Sequence, residues 1–183
     1  MSTSSEDERL RLGLRDKIRN IPDFPSPGIL FRDITPILAD PQAFAAAVEL
    51  HQRQIQDMAG ELDVIVGMES RGFLFGPILA HRLGLAFVPA RKPGKLPAAT
   101  IEERYELEYG TNALQLHADA FEKGARVLIV DDLLATGGTA AATGRLVERL
   151  GGEVAGYLFL IELEALAGRR ALGDARVEAL LRF

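Results

Sequence analysis

The sequence predicts an α/β protein: a mostly parallel, twisted sheet flanked by helices. Three observations carry that prediction. Apolar runs of strand length, such as residues 127–130 and 157–161, are near-continuous, as in strands buried on both faces. From residue 64 onward these runs alternate with helical patterns. The 183 residues contain no internal repeat, low-complexity tract or linker, so residues 1–183 are expected to form one domain.

Taken in order, residues 1–19 suit an amphipathic helix, with Ser5 as N-cap and Leu10, Leu14 and Ile18 four apart. Residues 20–28 hold three prolines and a glycine and predict an ordered but irregular loop. Asp40-Pro41 is a helix start, a cap followed by Pro at the first position, and the helix should run to about Met58. A buried strand follows over 64–68, a helix over 72–83 and a strand over 85–91. Residues 104–110 and 113–117 suit a hairpin. A buried strand over 126–132, a helix over 138–150, a strand over 153–163, a short helix over 165–172 and a last strand over 175–182 complete the chain. Ligands of such sheets sit beyond the carboxyl ends of the strands, which directs attention to the loops after Met68, Arg91 and Asp132.

Composition narrows the function. Hydrophobic residues make up 48% and charged residues 26%, as in an ordinary soluble globular protein. No apolar run approaches the roughly 20 residues of a membrane span. The acidic start lacks a secretory signal pattern and the chain has no cysteine, so a cytoplasmic protein is expected. A net charge of −5 argues against a non-specific nucleic-acid binder. His51, His81 and His117 have no metal-ligand spacing.

The strand over 127–130 ends in Asp131 and Asp132, then passes through Leu133, Leu134, Ala135, Thr136, Gly137, Gly138 and Thr139 into a helix. Glycines permit tight turns in which successive N–H groups converge on one phosphate, and the helix end and Thr hydroxyls add donors. Two adjacent carboxylates would repel a bare phosphate. They suit a vicinal diol, or a magnesium ion reached through water. The implied ligand carries a diol and a monophosphate a few ångströms apart, as ribose 5-phosphate does. Either feature alone would mark only a strand–turn–helix corner. There is no GxxxxGK[ST] and no GxGxxG.

The run Val-Leu-Ile-Val-Asp-Asp-Leu-Leu-Ala-Thr-Gly-Gly-Thr resembles, residue for residue, the phosphoribosyl pyrophosphate (PRPP) signature of the type I phosphoribosyltransferase family, in its adenine-specific branch. Other segments fit the same resemblance. Glu69, Ser70, Arg71 and Gly72 resemble the family's pyrophosphate loop, which implies a cis Glu69–Ser70 peptide and a charge-assisted role for Arg71 on the leaving group. Arg91, Lys92 and Lys95 resemble its basic segment, which contacts pyrophosphate, in part across a dimer interface. Residues 20–35 resemble a small base-recognition hood, in which Phe31 stacks on adenine while the backbone of Leu30 and Arg32 reads its edge. Leu133 would cover the opposite face of the base. Residues 93–110 resemble a flexible lid hairpin whose Glu108, followed by Tyr109, faces the imidazole edge of the base.

By this resemblance the fold is that of a type I phosphoribosyltransferase, and the chain is a glycosyltransferase of purine salvage. It would transfer the phosphoribosyl group of PRPP to adenine, giving AMP and pyrophosphate, with Mg²⁺ as cofactor and a homodimer as the assembly. Arg71 and Glu108 are its expected catalytic residues. Asp131 and Asp132 would meet the metal indirectly, through water or the ribose diol. The alternatives are a phosphoribosyltransferase for another purine base and a non-catalytic PRPP-binding regulator. An unrelated sugar-phosphate module would account for residues 131–139 but not for the other matches.

Overall fold

The structure is a computed structural model that describes residues 5–106 and 111–183. The chain divides into two compact units, residues 1–53 and 54–183. In the first, α1 (Ser5–Lys17) leads into the antiparallel pair β1 (Arg19–Pro22) and β2 (Leu30–Asp33), then α2 (Thr35–Ala39) and nearly all of α3 (Pro41–Gln54). Leu14 and Ile18 are buried, as their spacing predicts. Ser5, expected as the cap, is the first described residue of α1 and is itself helical.

The expected irregular loop is flanked by a two-stranded ribbon in which Ile21 pairs with Phe31. Proline has no N–H to give, so a side chain joins the backbone bonds from Phe24 to Ile29 and from Ile29 to Ser26 in closing the turn. Asp23 accepts the Gly28 N–H at 2.8 Å, with Asp23 and Gly28 at φ +57° and +87°. The helix α2 was not foreseen, because five residues are too short to show a period. Asp40 behaves as predicted, accepting the N–H groups of Gln42 and Ala43 at 2.9 and 3.0 Å. A bond from Lys17, at 2.6 Å, holds its carboxyl below the usual carboxylate range. The helix α3 stops at Gln54, short of Met58, and the following turn buries Ile55 and Met58.

The second unit contains β3 (Val64–Met68), α4 (Gly72–Leu83), β4 (Ala86–Ala90), β5 (Thr100–Glu106), β6 (Thr111–His117), β7 (Arg126–Leu134), α5 (Gly138–Arg149), β8 (Glu153–Glu162) and β9 (Val177–Arg182). Five strands form one parallel sheet in the order β4-β3-β7-β8-β9. In β7, Val127, Leu128, Ile129 and Val130 are all buried, which explains why that run shows no polar alternation. The hairpin β5–β6 is longer than expected and begins at Thr100. Instead of one short helix over 165–172 the chain makes two 3₁₀ turns, Glu164–Leu166 and Gly168–Leu172, divided by Ala167 at φ +50°. Among the described residues no helix is long and apolar enough to cross a membrane.

Candidate active site

The sheet presents its carboxyl ends as three neighbouring loops, after β4, β3 and β7. The β7 end is the most elaborate. The strand runs two residues beyond expectation, to Leu134, so Asp131 and Asp132 lie within it. The chain then passes Ala135, Thr136 and Gly137 before α5. Gly137 sits at φ +84°, and a Cβ there would fall 2.3 Å from the Gly168 carbonyl oxygen. Glycine is required on both counts. The first bond of α5 runs from the Ala141 N–H to the Gly137 carbonyl at 2.9 Å. The N–H groups of Gly138, Thr139 and Ala140 therefore precede the helical ladder, at the positive end of the helix dipole. They are placed for an anion.

A cavity of about 210 Å³ opens against this corner, lined by Met68, Arg71, residues 131–140 and Phe159. Two carboxyls meet in it. Asp132 is 2% exposed and Asp131 is half-buried, with the Asp132 N–H donating to Asp131 Oδ1 at 2.9 Å. Burial, and then the charge of Asp132, push the Asp131 carboxyl well above its ordinary range. Burial also raises Asp132, against the opposing pull of Arg71. Asp132 Oδ2 stands 3.0 Å from Arg71 Nε but without hydrogen-bond geometry. Asp132 Oδ2 is thus left without a hydrogen-bond partner among the described residues and suits a donor from outside the protein.

Arg71 belongs to the second loop. It stands at the N-cap of α4, after a cis Glu69–Ser70 peptide. Gly72 lets α4 pass close to β7, since a Cβ there would fall 2.5 Å from the Val130 carbonyl oxygen. Glu69 turns toward the third loop: its Oε2 accepts Arg91 Nε–H and the Lys92 N–H, both at 3.1 Å. Burial works against the charge of Glu69. The Lys92 amide, Arg91 and the charge of Lys92 outweigh it and hold the carboxyl low. Arg91 also donates to the Lys95 carbonyl at 3.3 Å and lies 6.0 Å over the Phe73 ring. The side chains of Lys92 and Lys95 are exposed and form no ion pair among the described residues.

The structure thus gathers Arg71, Asp131, Asp132, Leu133, Ala135, Thr136, Gly137, Gly138 and Thr139 around one cavity. Glu69, Ser70, Arg91, Lys92 and Lys95 occupy the adjoining strand ends without lining it. Leu30, Phe31 and Arg32 lie on β2 in the first unit, with the Phe31 ring edge-on to Phe24 at 5.1 Å. Glu108 and Tyr109 fall outside the described residues. Several residues near the site were not anticipated, Ala140 in the cavity lining among them. Met68 and Phe159 line the cavity, Gly168 backs Gly137, and Tyr105 shares a hydroxyl–hydroxyl bond of 3.3 Å with Thr139. Only proximity in space marks them, and no local pattern does.

An acidic pair and a helix N-terminus beside one small cavity, at the end of a parallel strand, make a site of the kind that suits a phosphorylated sugar in an α/β protein. Comparison with known proteins carries the assignment further. Residues 33–175 match the family described as phosphoribosyl transferase domain. An adenine phosphoribosyltransferase of Francisella tularensis subsp. holarctica is 52% identical over 170 residues, covering 93% of this chain and 97% of that protein. The crystal structure of adenine phosphoribosyltransferase from Thermoanaerobacter pseudethanolicus superposes with a TM-score of 0.89 at 51% identity, over 94% of this chain and 99% of that one. The Saccharomyces cerevisiae adenine phosphoribosyltransferase, solved with an imino-altritol bisphosphate and adenine, gives a TM-score of 0.91 at 44% identity, over 95% and 99%. The chain belongs to the type I phosphoribosyltransferase family, among the adenine phosphoribosyltransferases.

Proposed function

We propose that the cavity at the end of β7 seats the ribose 5-phosphate half of PRPP, and that the chain works there as an adenine phosphoribosyltransferase of purine salvage, forming AMP and pyrophosphate. One observation carries the site assignment: the buried Asp132 Oδ2, without a hydrogen-bond partner among the described residues, stands beside a loop whose amides precede the α5 ladder. Asp131 and Asp132 accept the ribose hydroxyls. Ala135, Thr136, Gly137, Gly138 and Thr139 hold the 5-phosphate, fixing the anomeric carbon for in-line attack by the base.

Pyrophosphate leaves toward the β3 and β4 ends. Arg71 is already within ion-pair distance of Asp132 and can exchange that partner for the departing anion. The Glu69–Ser70–Arg71 backbone faces the same group. Arg91 is engaged by Glu69 and by the Lys95 carbonyl, so it shapes the basic loop, while Lys92 and Lys95 bring free positive charge. Two carboxyls at one strand end suit a Mg²⁺ ion that arrives with PRPP and is met through water or the diol. Among the described residues no group of three potential ligand side chains stands together, which fits an ion held mainly by substrate oxygens. The ion would offset negative charge on the pyrophosphate.

Adenine is assigned to the hood, with Phe31 stacking on the ring and the backbone of Leu30 and Arg32 reading its edge; Leu133 is kept as a further candidate for contact with the base. Residues 93–110 act as the lid that keeps water from PRPP, with Tyr109 at the site and Glu108 managing the proton on the imidazole edge. Both units serve one phosphoribosyltransferase domain, a reading supported by a family match that runs through residues 33–175. A cytoplasmic homodimer is the working form.

Incubation with PRPP, Mg²⁺ and a panel of purine bases tests the reading. AMP from adenine, with no nucleotide from hypoxanthine, guanine or xanthine, is the expected result. Nucleotide from another base would transfer the chain to a different specificity. Glu108→Gln should lower kcat while leaving the PRPP affinity nearly unchanged, and an unaltered kcat removes Glu108 from the catalytic role.

A further inference from the structure

The loop after β4 carries its cations on exposed side chains, and exposed cations serve a substrate only if the backbone beneath them is held. Glu69 clamps the first part of the loop, through Arg91 and the Lys92 N–H. A second clamp comes from Gln115, at the middle of β6. Its main chain forms an isolated bridge with Arg91: the Gln115 N–H donates to the Arg91 carbonyl at 2.7 Å, and the Arg91 N–H donates back at 3.0 Å. Its side chain then reaches in two directions. Oε1 accepts the Gly94 N–H at 3.3 Å, and Nε2 donates to Glu102 Oε2 at 2.9 Å.

The chemistry of these two contacts selects an amide. One planar head must accept from a backbone N–H and donate to a carboxylate at the same time. Leucine would keep the volume and lose both bonds. Glutamate would still accept from Gly94 but would set a second carboxylate against Glu102, which already holds Arg104 at 3.0 Å. Gly94 is itself at φ +75°, the turn that presents Lys92 and Lys95 on either side of it.

We infer that Gln115 is a positioning residue for pyrophosphate: it locks the Gly94 turn to the β5–β6 hairpin, so that Lys92 and Lys95 are held where the leaving group collects charge. The inference rests on the assignment of the basic loop to pyrophosphate. It adds that strand β5, within the lid segment, and the cationic loop are set by one side chain.

Steady-state kinetics in both directions tests it, with PRPP and adenine going forward and AMP and pyrophosphate in reverse. Gln115→Leu should raise KM for pyrophosphate and for PRPP by about tenfold, the scale of one or two hydrogen bonds, while KM for adenine and AMP stays within about twofold. Gln115→Glu should show a similar rise. Adding Glu102→Gln to it restores an amide–carboxylate pair with the partners exchanged, and should recover most of the loss. A purely structural residue would move all four KM values together or lower the thermal midpoint, and either result overturns the proposal. So does an unchanged pyrophosphate KM in Gln115→Leu, or no recovery in the double variant. Lys95→Ala serves as the reference. If it raises the pyrophosphate KM while Gln115→Leu does not, only the role of Gln115 falls. If it too is silent, the basic loop's assignment falls and takes the proposal with it.

Discussion

Strands β7 and β8 lie side by side in parallel and each carries a buried acid near its carboxyl end, Asp132 and Glu162, yet they treat those acids in opposite ways. Leu134 of β7 is in register with Glu162 of β8, so the two ends are neighbours. Glu162, 5% exposed, is gripped by Arg169 through two bonds of 2.6 and 2.8 Å, with Arg182 at 3.6 Å. The hydrogen bonds from Arg169 hold its carboxyl below the usual range despite burial. At the end of β7 burial dominates and the carboxyls are pushed up. The first arrangement is closed and stabilises the fold. The second is open, and its cost is carried until a ligand arrives. A buried acid alone therefore marks nothing. What marks a site is an acid that the protein has left incompletely paired.

The comparison can be broken by moving each acid to its amide. Asp131→Asn together with Asp132→Asn should weaken PRPP by about 3 kcal/mol, roughly a hundredfold, because two charged acceptors are lost. Calorimetry should find adenine binding nearly intact, and an intact PRPP affinity would remove the diol from this corner. Glu162→Gln should do the converse. Stability falls by about 2–3 kcal/mol in urea unfolding, less than the full cost of stranding a buried charge because Arg169 is 38% exposed. KM for PRPP should stay within about twofold. Should it rise steeply, the division between closed and open ends is wrong.

A smaller effect sharpens the contrast through pH. The raised carboxyl of Asp131 penalises the native state above its folded pKa and not below its unfolded one. Asp131→Asn should therefore raise the thermal midpoint by a few degrees at pH 8, an advantage that shrinks as pH falls toward the ordinary carboxylate range. Glu162 has the opposite sign, since its contribution is present above its unfolded pKa and is lost as pH falls through the depressed one. A midpoint lowered at pH 8 in Asp131→Asn would show that the pair is not a burden on the fold.

Much of this was legible in the chain itself. The central strands declared themselves because both faces of β7 are buried and leave an unbroken apolar run. The phosphate corner was legible because its chemistry is local: the acids, the glycines and the helix start are consecutive. Asp40 was legible as a cap for the same reason. What could not be read depends on contacts across long separations. Nothing near Gly168 announces that it backs Gly137, and nothing near Gln115 announces Gly94. The 3₁₀ turns replaced a helix because Ala167 takes a left-handed conformation that no apolar period encodes.

The wall behind Gly137 also orders events in time. A carbon placed on Gly168 would stand 2.2 Å from the Ala135 carbonyl oxygen, so the two segments are fitted face to face. During synthesis the phosphate motif leaves the ribosome well before the segment that supports it. A nascent chain stopped at residue 163 would spell the whole motif and have no backing for it. The corner can therefore be complete only once the segment around Gly168 has been made and has folded against it.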